Sequence, residues 1–242
     1  GFANEVYADY LTLFPDNNKA YDLRFFWAEL LNDNLSKYDK AAEQYTIVLE
    51  TDIKRKDKCE APPEKDENGK PKGPLCKWMV NAAYNAILAN DQVVKGLESS
   101  GKLKPEAVTD PNKKLTIPPE KKSLLEACER YLKYVPAGEK KVEIAYKAAK
   151  IYYDYNDLEQ AVPRFADIAL KHPDYKFENG DRAGEIAANL VLDSYNLQGD
   201  WAKVNEWAGH RQVPRGPGEA HRAVGLQAGE PAGGEEGLRQ GG

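Results

Sequence analysis

Apolar residues recur at helical spacing through most of residues 1–208, and polar breaks cut the pattern into short, paired stretches. The clearest pair lies between Ala145 and Pro173. Ala149 and Tyr152 share a face of a first helix, Asn156 and Asp157 interrupt it, and Ala161, Phe165, Ile168 and Ala169 mark one face of a second. Pro173 closes the pair, because proline cannot continue a helix. A single pair of this kind cannot bury its apolar face alone. Small residues let its two helices approach closely, and aromatic residues fill the space to the next pair. The pattern therefore predicts a stack of antiparallel helix pairs that offers a surface.

The same order of small and aromatic residues returns elsewhere with interruptions. Ala3, Tyr7, Tyr10, Leu11 and Pro15 repeat the second-helix spacing without a first helix or an initiator methionine, so the chain is expected to start inside a repeat. The run from Arg24 to Leu31 leads through a turn at Asn32–Ser36 into Tyr38, Ala41, Tyr45, Val48 and Leu49, provided one extra residue is allowed in the turn. A third pair is split: a first helix from Lys77 to Leu97, a long insertion, then a second helix from Glu120 to Tyr134 with Leu124, Cys128, Tyr131, Leu132 and Pro136 on the repeat positions. The last pair runs from Glu185 through Gly199 and Trp201 to Trp207. Its spacing is loose, since Val204 follows its counterpart Ala161 by about 43 residues where about 34 is usual.

Two insertions and a tail depart from this pattern. Residues 54–77 are rich in Pro, Gly and charge and predict an exposed loop, with Cys59 and Cys76 near its ends. These two either close the loop as a disulfide, worth about 3 kcal/mol by chain entropy, or stand as free thiols. The disulfide would place the chain in an oxidising compartment. Cys128 sits on an apolar helix face and reads as a small buried hydrophobe. Residues 98–119 form a polar linker containing Pro105, Pro111, Pro118 and Pro119, expected to wander over the surface. From Gly209 to Gly242 glycine abounds, while lysine and the aromatic residues vanish. That segment reads as a disordered Gly-rich tail. A back-translation shifted by one nucleotide restores lysine and aromatic residues at helical spacing, so it also reads as a frameshifted translation of further helices.

Charge and chemistry narrow the function. With 41% hydrophobic and 30% charged residues, the 242-residue chain can build a continuous core. A net charge of −5 argues against nucleic acid, which needs a basic face. No segment approaches the ~18 consecutive apolar residues of a membrane span. Glu64, Asp66, Asn68 and Gly69 approach a calcium loop, but Leu75 stands where a bidentate Glu is needed and Pro71 and Pro74 spoil the returning backbone. The Cys and His residues do not pair at zinc spacing, and His172 suits a helix end beside Pro173. Neither a phosphate loop, a nucleophile elbow nor an HExxH stretch is present. The expectation is a non-enzymatic protein with no cofactor, no metal and no small-molecule substrate.

Residues 24–50 and 145–173 resemble tetratricopeptide repeats, and the likeness extends over most of 1–208. It implies a right-handed α-solenoid. The stretch NLVLDSYNLQGDWAKVNEWA (189–208), with the cysteine-bounded loop, resembles tetratricopeptide proteins of myxobacteria and related bacteria, some of which belong to envelope-spanning gliding-motility machinery. The resemblance implies a periplasmic or outer-membrane-associated scaffold that binds other proteins or peptides, with neither cofactor nor catalytic residues.

In such a stack the first helices line the concave face. There Asn81 and Asn85 stand one turn apart, Tyr146, Lys150 and Tyr153 project together, and so do Asn189, Asp193 and Asn196. Asparagine costs a helix about 0.5–0.7 kcal/mol relative to alanine. Several on one face therefore point to hydrogen bonds, either with a partner or with neighbouring helices. Two other roles remain open: an accessory of outer-membrane protein assembly that grips client peptides, and the targeting module of a larger enzyme.

Overall fold

A computed structural model describes residues 1–55, 59, 76–104, 108, 110 and 113–209. The calcium-like residues Glu64, Asp66, Asn68 and Gly69 and the tail 210–242 lie outside the described residues. The described chain is helical throughout, with no strand beyond one isolated bridge between Lys176 and Arg182. Its helices are α1 (Phe2–Leu13), α2 (Ala20–Glu29), α3 (Tyr38–Lys54), α4 (Met79–Ser99), α5 (Pro119–Tyr134), α6 (Lys141–Asp154), α7 (Leu158–Lys171), α8 (Ala183–Leu197) and α9 (Trp201–Gly209). None of them is long and apolar enough to cross a membrane.

Three of the pairs turn in the same way. Ser36, Asn156 and Gly199, each two residues ahead of a second helix, have φ of 51°, 54° and 69°. A left-handed residue lets the next N–H reach back to the last free carbonyls of the first helix. Asp157 N–H thus bonds Tyr152 O at 2.8 Å, and Asp200 N–H bonds Tyr195 O at 3.0 Å. The pair α2–α3 deviates by one residue, and Lys37 N–H reaches Leu31 O at 2.8 Å. The extra residue is absorbed by a π-helical turn, Leu30–Asn34, at the end of α2. A π-turn is how a helix accommodates a single inserted residue without losing its register.

Helices pack chiefly on their chain neighbours, α2 on α3, α3 on α4, and so on to α9. Side-chain bonds also join alternate helices. On one side Asp22 of α2 receives Lys77 at 2.8 Å, just ahead of α4, and Asp91 of α4 receives Lys147 of α6 at 2.7 Å. On the other, Glu129 of α5 receives Arg164 of α7 at 2.9 Å, and Arg130 of α5 lies 4.0 Å from Glu50 of α3. These links join α2 to the start of α4, α4 to α6, α3 to α5 and α5 to α7.

The core divides in two at α6. Ile144, Ala148, Ile151 and Tyr155 complete a cluster built by α2 to α5, while Val142 and Ala149 join one built with α7 and α8. Ala28, Ala41, Ala82, Ala83 and Ala89 are fully buried, as close helix approach requires. Cys128 is fully buried as well, and burial pushes its thiol up to about 12.

Cys59 and Cys76 form a disulfide, their Cα atoms 5.5 Å apart. The linker of residues 98–119 does not wander over its described part. Leu115 N–H bonds Tyr155 O at 2.9 Å, the Asn156 amide donates to Lys113 O at 2.9 Å, and Lys114 bridges Asp157 at 3.0 Å and Glu159 at 2.7 Å. Leu103, Leu115 and Ile117 pack on the core beneath. Those three apolar residues, spread through a Pro-rich segment without periodicity, are what dock it.

Candidate functional site

The row of first helices carries the sequence-predicted residues. On α4 the alanines Ala82, Ala83, Ala86 and Ala89 turn inward, which leaves Val80, Asn81, Tyr84, Asn85 and Leu88 on the opposite arc of the helix. Val80 is 51% and Leu88 42% exposed, an apolar stripe with Asn81 exposed beside it. Asn85 is half-buried and lies on the side of α4 that meets Tyr45 of α3. Beside α4, α2 exposes Phe26, whose ring meets Trp78 edge-on at 5.6 Å.

On α6, Tyr146 and Tyr153 are half-buried packing residues. Tyr146 lies against Phe165 at 5.7 Å and Phe177 at 5.1 Å, and Tyr153 meets Phe165 edge-on at 6.1 Å. Burial is the main cause that raises both hydroxyls, that of Tyr153 to about 12. Lys150 pairs with Asp154, and its ammonium lies 5.5 Å from the centre of the Tyr153 ring. On α8, Asn189 and Asp193 are half-buried and Asn196 is exposed. The charge of Asp193 acts on the Tyr153 hydroxyl across the seam between α6 and α8. The chain therefore gathers Tyr146, Lys150, Tyr153 and Asp193 around one seam, and leaves Asn81 on α4.

Residue reasoning missed Phe26, Val80, Tyr84 and Leu88. The signal was present: Val80, Tyr84 and Leu88 recur one turn apart, out of phase with the alanines of the same helix. An apolar stripe opposite an alanine stripe is a second face that needs a neighbour.

A cleft of about 310 Å³ lies elsewhere, between α3, α4 and α5, with Ile47 in its wall and Asp39, Glu43, Glu126 and Arg130 among its lining residues. Arg130 is loosely held, 3.9 Å from Glu126 and 4.0 Å from Glu50. The buried Asp52 of α3 accepts from Tyr21 at 2.7 Å and from Arg55 at 2.8 Å, which ties it to the fold. Among the described residues no group of three or more His, Cys, Asp or Glu side chains converges to hold a metal ion. What the described surface offers is a mixed apolar and polar helix face. No family model matches the chain, and no curated protein does.

Proposed function

We propose that this chain is a non-enzymatic interaction scaffold, a right-handed α-solenoid of tetratricopeptide type whose first-helix, concave face binds other proteins within a multiprotein assembly of a Gram-negative cell envelope. The observation that carries this reading is the pair of exposed apolar residues Val80 and Leu88, with Asn81 beside them and half-buried Tyr84 between, on a helix whose other face is alanine-packed. Alternating ion pairs that line first helices with first helices support a stack. The Cys59–Cys76 disulfide supports an oxidising compartment, which in such a cell is the periplasm or the outer-membrane surface. Contiguous exposed apolar surface rimmed by polar residues is the usual mark of a protein interface.

Photo-crosslinking in intact cells tests the reading. A crosslinking residue at Leu88 should yield discrete partner adducts. The same residue at Leu170 of α7, 61% exposed on a second helix, should not. Equal yields at the two positions would overturn the face assignment. Alkylation of Cys59 and Cys76 in the same cells would overturn the envelope location.

A further inference from the structure

Helix α1 has two apolar faces. One packs on α2: Leu11 is buried, and Asn4 on the same side accepts the Trp27 indole N–H at 3.0 Å, which fixes the rotation of the helix. Phe2, Val6 and Leu13 recur at i, i+4 and i+11 on the opposite arc, and they are 81%, 48% and 69% exposed. Phe14, also exposed, meets the half-buried Tyr10 ring at 5.3 Å along the edge of that stripe. At about 200 Å² for each aromatic residue, Phe2 and Phe14 alone leave roughly 250 Å² of surface in water. A contiguous apolar patch of that order, rimmed by polar residues, marks a contact surface. Because the stripe lies opposite the face held by α2, no rotation of α1 can bury it without breaking the Asn4–Trp27 bond.

Charge selects the occupant. Residues 1–18 contain Glu5, Asp9 and Asp16 and no Lys or Arg. Asp9 stands within the stripe, between Val6 and Leu13, and Glu5 stands at its edge, both exposed. A second copy laid along the stripe would crowd Glu5 and Asp9 of both chains together without a Lys or Arg between them. An anionic lipid surface would repel the same carboxylates, and helices that lie on membranes carry Lys and Arg on their polar face. Over its 12 residues α1 runs about 18 Å, a length that about three turns of a facing helix would cover. We propose that α1 docks an amphipathic helix of a partner protein, its apolar ridge along Phe2, Val6 and Leu13 and a lysine or arginine against Asp9. This surface is distinct from the α4 face and stands or falls independently of it.

The test uses the full chain, isotope-labelled for amide NMR, and two capped helical peptides. One has leucines at i, i+4, i+7 and i+11 on an alanine–lysine background; its twin has glutamate in place of every lysine. The lysine peptide should shift amides in 2–14 and bind about tenfold more tightly than its twin. Asp9→Lys should reverse that preference. Leu13→Glu should abolish the response with an unchanged Tm, since the side chain is exposed. Equal binding of the two peptides, or a preference that Asp9→Lys leaves intact, overturns the assignment. So does a concentration-dependent dimer in sedimentation that Leu13→Glu dissolves, because a second copy would then be the occupant. A response confined to residues 80–88 overturns it as well, and leaves the reading of the α4 face standing.

Discussion

Between α2, α3 and α4, Asp52 is fully buried, and each of its oxygens has a donor: the Tyr21 hydroxyl at 2.7 Å on one, the Arg55 guanidinium at 2.8 Å on the other. Tyr21 in turn accepts the Trp78 N–H at 3.0 Å, and Trp78 stacks on Phe25 at 4.0 Å. On α8 another aspartate, Asp193, is half-buried, yet it has no donor among the described residues. Burial raises both carboxyls, but only at Asp52 do hydrogen bonds work against it. A buried charge closed by its own chain holds helices together, whereas a half-buried one without donors costs stability. Asp52 therefore makes a joint, and Asp193 does not.

The largest effect should come from breaking the joint. Asp52→Ala removes two hydrogen bonds to a buried carboxylate, from the half-buried Tyr21 hydroxyl and Arg55 guanidinium, and should cost about 3–5 kcal/mol in denaturant unfolding. A loss near zero would mean that the aromatic stack alone holds α4 on α2. Opening the Cys59–Cys76 disulfide comes next. It closes a separation of 17 residues next to the same joint, and Cys76→Ser should cost about 3 kcal/mol. If mild reduction of the folded protein leaves the unfolding midpoint unchanged, the bond is not part of the joint.

The α8 end closes differently. A methyl on Gly184 would sit 2.5 Å from Pro173 Cα, so α8 is laid on bare backbone at the close of the preceding pair. Gly184→Ala should cost about 1–3 kcal/mol by forcing those segments apart. It should also broaden the amides of 189–196. Sharp, unmoved signals there would show that the seam does not depend on this contact.

Helix pairing was legible in the sequence because small and aromatic residues recur at the contacts, and packing demands them there. Ala149, Ala161 and Phe165 are fully buried, at the positions their spacing assigns. The odd residue at Asn32–Ser36 was legible as a surplus, though not as a π-turn, since nothing in local composition separates the two. The docked linker was illegible: three apolar side chains among prolines have no period, and their contacts come from Tyr155 and Asn156, far along the chain. The candidate face was half legible. Polar residues on helices drew notice, while Val80 and Leu88 share a helix with alanines, and only burial shows which set turns inward. The contrast between Asp52 and Asp193 was invisible, because it depends on the distant Tyr21 of α2 reaching Asp52 while no described residue reaches Asp193.

The smallest effect sharpens the comparison most. Asp193→Asn keeps the shape of the side chain and removes its charge, so at pH 7 the variant should be slightly more stable, by about 1–2 °C in Tm. The sign follows from linkage. The carboxyl of Asp193 holds its proton more tightly in the folded chain than in the unfolded one. Ionised Asp193 therefore costs stability at every pH above its raised folded value, and the cost fades as pH falls from there to the ordinary carboxylate range near about 4. The gain of the variant should shrink over that window and vanish below it. Asp52, whose carboxyl is also raised, titrates identically in both proteins and cancels from the difference. Asp91 cancels too: burial raises it, but the hydrogen bonds from Lys147 and Lys95 outweigh that and hold it low. A Tm difference that stays constant from pH 7 to pH 4 would mean that Asp193 is solvated after all, and its contrast with Asp52 would disappear.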